Sequence, residues 1–213
     1  MTNILHIDTS PQGKGSISRR LTADVVARLK STAPDATVTH RDLIATPVSH
    51  LGAELLEVLR PAPGRVPADS ATLRTEVAQS EELLSEFLAA DVVVIGAPMF
   101  NFSIPSQLKA WIDRVVQAGR TFRYTAQGPV GLAGGKKVII VSSRGGLYVG
   151  TPYEAALDHQ EAYLRAVLNF IGVTDVSYVR AEGVAISPEK RQEALANAER
   201  DIAGLDLAYA KAA

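Results

Sequence analysis

The chain has 213 residues and a mass of 22.7 kDa, room for one domain with decorations. Apolar residues make up 46% and charged residues 21%, globular usage that excludes a disordered or fibrous chain. A net charge of −1 excludes the basic excess of a dedicated nucleic-acid binder. The absence of cysteine excludes disulfides, thiolate metal sites, a cysteine nucleophile and a CxxC redox pair.

The first apolar run, residues 4–7, predicts a strand, and Ile17, Leu21, Val25 and Leu29 then recur every four residues as a helix stopped by Pro34. A more polar strand at 36–40 follows. Pro61, Pro63 and Pro67 mark residues 61–67 as a surface loop. After an Asp69/Ser70 start, Leu73, Val77, Leu84, Phe87 and Leu88 form a second helical stripe. The run 91–95 and its counterpart 137–141 are dominated by Val and Ile, as suits strands covered on both faces. Between them a helix carries Leu108, Ile112, Val115 and Val116, with Pro105 near its start and Gly119 past its end. A fourth helix carries Leu157, Leu164, Val167, Leu168 and Ile171, a strand follows at 176–179, and a last helix opens at Ser187-Pro188. Strand and helix alternating in this way predict one α/β domain over residues 1–213, a three-layer sandwich with a five-stranded parallel sheet.

In such sheets ligands bind beyond the carboxyl ends of the strands, where the strand order reverses. After the first strand stands Asp8-Thr-Ser-Pro-Gln-Gly-Lys-Gly-Ser-Ile-Ser18, with Ser10, Ser16 and Ser18 running into the first helix. Helix-end amides with hydroxyls beside them can hold a phosphate; a serine there can equally be a plain helix cap. Nucleotide motifs fail: Gly13-Lys-Gly15 starts GxGxxG but position 18 is Ser, and Gly131 to Lys137 is one residue short of a Walker loop and precedes a strand. After the third strand, Met99, Phe100, Asn101 and Phe102 lie in a loop between Pro98 and Pro105. Apolar side chains on a loop at the ligand edge suit a flat apolar ligand with Asn101 at its rim, unless they simply pack beneath the next helix. The fourth strand ends in Ser143, Arg144, Gly145 and Gly146, where paired glycines let a ligand approach the backbone or merely turn the chain. In the strand order 2-1-3-4-5 these three loops are neighbours, and a phosphate pocket beside a planar apolar pocket describes FMN.

With Gln107-Leu-Lys-Ala-Trp-Ile-Asp113, Gly119-Arg-Thr-Phe-Arg-Tyr124 and Phe170-Ile-Gly172 added, the chain resembles, over essentially its whole length, the FMN-dependent NADH:quinone oxidoreductases and NADH-azoreductases of the flavodoxin-like superfamily. The resemblance implies one bound FMN per subunit. Ser10, Ser16, Ile17 and Ser18 would hold its phosphate, and Met99 to Phe102 with Ser143 to Gly146 its ring system. Tyr124 and Phe170 would line the substrate space of a cytoplasmic homodimer with sites at the interface. It also implies a ping-pong cycle in which NADH or NADPH donates electrons and a quinone or aromatic azo compound receives them. Phe100 departs from the family, which more often has Tyr there; this bears on acceptor preference and not on FMN binding.

No catalytic side chain and no metal site are expected. His6, His40, His50 and His159 are scattered along the sequence and read as structural or solvated, and Ser142 and Ser143 lack the GxSxG elbow of a serine hydrolase. The longest uncharged run, 92–108, is broken by prolines and polar residues and is no membrane span. An electron carrier of the same fold would be smaller and strongly acidic. A phospho-receiver would need an Asp where Gly96-Ala-Pro98 stands, and a nicotinamide-only dehydrogenase would need a complete dinucleotide loop.

Overall fold

The computed structural model describes residues 2–61, 64 and 69–207. Five parallel strands form its sheet: β1 (Asn3–Asp8), β2 (Thr37–Asp42), β3 (Val92–Pro98), β6 (Lys137–Arg144) and β7 (Asp175–Glu182), in the order β2-β1-β3-β6-β7. Four of these strands fall where an apolar run predicted one, and β2 where the more polar run at 36–40 did. The predicted order 2-1-3-4-5 differs in detail because two further strands intervene. β4 (Phe122–Thr125) and β5 (Gly128–Gly131) form an antiparallel hairpin outside the sheet. Four-residue strands holding only a few apolar side chains are too short to show an alternation.

The period-two geometry of a strand sorts its side chains between two layers. Val93 and Ile95 of β3 join Leu5, Ile7, Val138 and Ile140 in one core cluster, covered by α3 (Ala71–Ala89), α4 (Ser106–Val115) and α6 (His159–Phe170). Val92 and Val94 face the other side with Ile4, Ile139 and Val141, beneath α1 (Ile17–Thr32) and α7 (Pro188–Gly204). The predicted stripe of Ile17, Leu21, Val25 and Leu29 is buried in full. At about 25 cal/mol per Å² of apolar surface, such burial is the main term holding helices to the sheet.

Two helical expectations change. The fourth predicted helix is broken in two, α5 (Glu154–Leu157) and α6, because Asp158 leaves the helical path and its carboxylate accepts the Glu161 amide at 3.1 Å as a cap. A short helix, α2 (Ala53–Leu59), precedes the proline-rich loop and buries only Leu55, too little periodicity to be read. The 61–67 loop itself, apart from Pro61 and Gly64, lies outside the described residues. No helix among the described residues is long and apolar enough to cross a membrane.

Candidate active site

The loop after β1 is held from within. Gly13, with φ +54°, opens a single 3₁₀ turn over Gly13–Gly15, a backbone region an L side chain would resist. Ser16 caps α1: its Oγ accepts the Arg19 amide at 3.3 Å. Ser18 does not cap. It is fully buried in the first turn, its Oγ 3.1 Å from that of Ser16. Ser10 is also fully buried, and its carbonyl accepts from Arg19 Nε at 2.9 Å. Arg19 in turn is clamped bidentately by Asp42 at the end of β2, with both contacts at 2.7 Å. That guanidinium, aided by the Ile44 and Ala45 amides, holds the Asp42 carboxyl far below the usual carboxylate range. The first amides of a helix have no intrahelical acceptor. Three buried hydroxyls at one end of a helix make this cradle suited to an anion of phosphate size.

The loop after β3 is strained. Phe100 and Ser103 exchange backbone hydrogen bonds at 3.0 Å around Asn101 and Phe102, whose φ values are +48° and +68°. Such a turn normally takes glycine or asparagine, and a left-handed Phe102 costs of order 1–2 kcal/mol. The surroundings enforce it: Met99 donates to the Ser143 carbonyl at 2.9 Å, and the Phe102 carbonyl accepts from the His159 amide at 3.1 Å. The result presents Phe100 and Phe102 outward, 37% and 43% exposed, instead of packing them beneath α4. A cleft of about 570 Å³ runs from Pro11 of the first loop along Phe100, Asn101, Ile104 and Gln107 to Tyr163. Its volume suits a mid-sized planar ligand.

The third loop splits in role. The carbonyls of Arg144, Gly145 and Gly146 accept from the amides of Val184, Ala185 and Gly183, which fixes the turn against β7. The Arg144 side chain is fully buried and turned inward, ion-paired to Asp158 at 2.9 Å, Glu161 at 2.6 Å and Glu182 at 3.0 Å. It is a strut of the loop, so of this residue only the backbone can face a ligand. Ser143 is partly exposed beside Met99.

Tyr124 and Phe170 come together through Phe122, which meets Tyr124 edge-on at 5.4 Å and Phe170 at 4.6 Å between ring centroids. They do not line the cleft of their own chain. Phe170 lines an apolar groove with Ile112, Val116 and Tyr163, and Tyr124 projects from the hairpin, 74% exposed. The hairpin is seated on α6 by backbone contact between Gly131 and Gly172: a Cβ on Gly131 would lie 2.2 Å from the Gly172 nitrogen.

Sequence reasoning missed Tyr163, which borders both the cleft and the groove and whose phenol is pushed up by burial and by Asp113. It also took all the histidines as scattered. His6 and His40 are register partners on β1 and β2, and their rings stand 4.6 Å apart beside Asp8. The His6-x-Asp8 spacing, which puts both side chains on one strand face, was a readable half of that signal; the pairing with β2 was not.

Residues 2–205 match the family described as having the flavodoxin-like fold. The chain is 56% identical over 207 residues to an FMN-dependent NADH:quinone oxidoreductase of Azospirillum brasilense, covering 97% of this chain and 99% of that one. Among solved structures it is similar to the azoreductase from Bacillus anthracis strain Sterne, with TM-score 0.85 and 31% identity over 95% of this chain and 98% of that one. It is likewise similar to an FMN-dependent NADH-azoreductase from Bacillus anthracis strain Ames Ancestor in complex with FMN, with TM-score 0.84 and 27% identity over the same shares. The fold, the loops at the sheet edge and these relatives agree: the chain belongs to the FMN-dependent NADH:quinone oxidoreductase family of the flavodoxin-like fold.

Proposed function

We propose that the protein is an FMN-dependent oxidoreductase that uses NADH, or NADPH, to reduce quinones and to cleave aromatic azo compounds to amines by a ping-pong cycle. The observation that carries the reading is the buried hydroxyl set of Ser10, Ser16 and Ser18 on the loop whose Pro11 lines the 570 Å³ cleft of the Phe100 to Gln107 loop. The residues fit the group: a buried hydroxyl set at a helix end for the phosphate, and a strained, outward-facing apolar loop for the rings. When bound, FMN supplies the two-electron chemistry between a nicotinamide and an electron-poor aromatic acceptor.

The chain's own residues bind and orient. Ser10, Ser18 and the amides of Ile17 and Ser18 hold the phosphate, while Ser16 shares its hydroxyl between cap and ligand. Met99, Phe100, Asn101 and Phe102 form one side of the ring site; Ser143 and the backbone of Arg144, Gly145 and Gly146 form the other. Arg19, Asp42 and the buried Arg144 cluster keep these loops in place. The active form is a homodimer of single-domain chains in the cytoplasm. Tyr124 and Phe170, which do not line the cleft of their own chain, serve the substrate space of the partner; exposure of a large aromatic on a projecting hairpin is what such a role requires.

Purified protein should be yellow and release one FMN per chain on denaturation, and initial rates with NADH and NADPH over a panel of quinones and azo dyes should give parallel double-reciprocal lines. A colourless protein that FMN does not reconstitute, or intersecting lines, would overturn the reading.

A further inference from the structure

The geometry points to a divalent transition-metal site formed by His6, Asp8 and His40, on the α1 side of the β1–β2 pair and separate from the FMN cleft. His40 Nε2 lies 3.0 Å from Asp8 Oδ2, and His6 Nε2 lies 3.5 Å from Asp8 Oδ1. The three donor atoms all stand within 4.8 Å of one another. A tetrahedral ion with bonds of about 2.0–2.1 Å holds its donors about 3.3 Å apart; each histidine stands near that distance from a different oxygen of Asp8, and the His40 contact is a hydrogen bond that an ion would replace.

An independent observation marks the place as built for a ligand. His6 is nine-tenths buried, and its Nε2 has no hydrogen-bond partner among the described residues while pointing at Asp8. A buried ring nitrogen without a partner is unfavourable, and a bound ion removes that cost. Asp8 Oδ1 also stands 2.9 Å from Thr22 Oγ, a hydroxyl that can donate to it or to the Arg19 carbonyl at 2.9 Å, the kind of outer partner that orients a metal carboxylate. Gly96 leaves room for that carboxylate, since a Cβ there would come within 3.2 Å of Oδ1.

Arg19 Nη1 stands 3.6 Å from Asp8 Oδ2 and opposes a cation. Its charge is already matched by Asp42 at 2.7 Å, so Asp8 remains the carboxylate facing the two imidazoles. Two nitrogens in a set of three donors suit Zn²⁺, Co²⁺ or Ni²⁺ over Mg²⁺ or Ca²⁺. The His40 side chain is half exposed, which leaves a fourth position open to water. An ion there would tie the edge strand β2 to β1 directly behind the loop that carries Ser10. Nothing in this proposal rests on the FMN reading, and the two are read out separately.

The test titrates Zn²⁺ calorimetrically into the tag-free full chain as purified, at pH 7.5, above the ordinary imidazole pKa of about 6.5. Far-UV circular dichroism, which does not depend on the flavin, serves as the check on folding. We expect one Zn²⁺ per chain and a Co²⁺ visible spectrum of four-coordinate type, at wavelengths beyond the flavin bands. Because His40 is half exposed, His40→Ala will fold, and it should weaken Zn²⁺ by at least about 100-fold, the upper end of what loss of a supporting partner alone costs. Asp8→Asn should do the same, and His50→Ala should leave binding unchanged. Absence of Zn²⁺ binding in the wild type overturns the proposal. So does affinity retained in both His40→Ala and Asp8→Asn, or lost in His50→Ala.

Discussion

Ser16 and Ser18 stand two residues apart at the mouth of α1, and the structure assigns them different work, which makes them a sensitive pair to perturb. Ser16 Oγ accepts the Arg19 amide, so Ser16→Ala removes a helix cap and should cost about 1 kcal/mol of stability in the FMN-free protein. Ser18 caps nothing. Its one side-chain contact is the 3.1 Å approach to Ser16 Oγ, and since either hydroxyl can rotate to other acceptors, Ser18→Ala should cost the FMN-free protein less than about 0.5 kcal/mol. Toward FMN the order reverses. A hydrogen bond to a charged phosphate contributes about 1.5–3 kcal/mol, roughly 10- to 150-fold in affinity. Ser18→Ala should therefore weaken FMN within that range while Tm of the FMN-free protein stays put. Urea denaturation of the FMN-free forms and quenching of flavin fluorescence on binding separate the two effects. If Ser18→Ala binds FMN as the wild type does, the phosphate is held elsewhere; if it instead destabilises the FMN-free chain by more than Ser16→Ala, the capping assignment is wrong.

Two further outcomes follow from the framework behind these loops. The Asp42 carboxyl is held below its ordinary value of 3.8, chiefly by Arg19, so its contribution is in full force above that pH and is lost as pH falls below it. Asp42→Asn should cost about 2 kcal/mol at pH 7, and urea melts should show the gap to wild type narrowing by up to about 1.4 kcal/mol per pH unit below pH 3.8; a gap unchanged down to pH 2.5 would refute the pairing. Gly131→Ala places a Cβ 2.2 Å from the Gly172 nitrogen and 2.3 Å from the Ile171 carbonyl carbon. Main chain cannot rotate aside, so the hairpin must lift from α6 at a cost of about 3 kcal/mol, seen as a Tm lowered by about 6–12 °C; a fall under 2 °C would mean that this contact is not close-packed.

Much of this molecule is legible in its sequence, because strands and helices that bury one face must write their period into the chain. The four inner and far-edge strands β1, β3, β6 and β7 and the face of α1 lie where apolar residues cluster at the spacing of their element, while β2, with Val38 alone, is the polar edge. The loops carrying Ser10, Met99 and Gly145 are legible for a related reason: they must follow those strands, and a parallel sheet puts its ligands at that edge. The tertiary structure decided what depends on residues meeting across the chain. The β4–β5 hairpin rests on two glycines 41 positions apart, a contact defined by missing side chains that leaves no periodic trace. Arg144 looked like a site residue from its motif, yet three carboxylates drawn from α6 and its cap and from β7 turn it into the core. The strain at Phe102 appears only once Ser143 and His159 are seen to pin both ends of its turn. His6 and His40 became neighbours through strand register alone: sequence fixes which face a side chain takes, but pairing between strands selects its partner, and that selection is a property of the packed sheet.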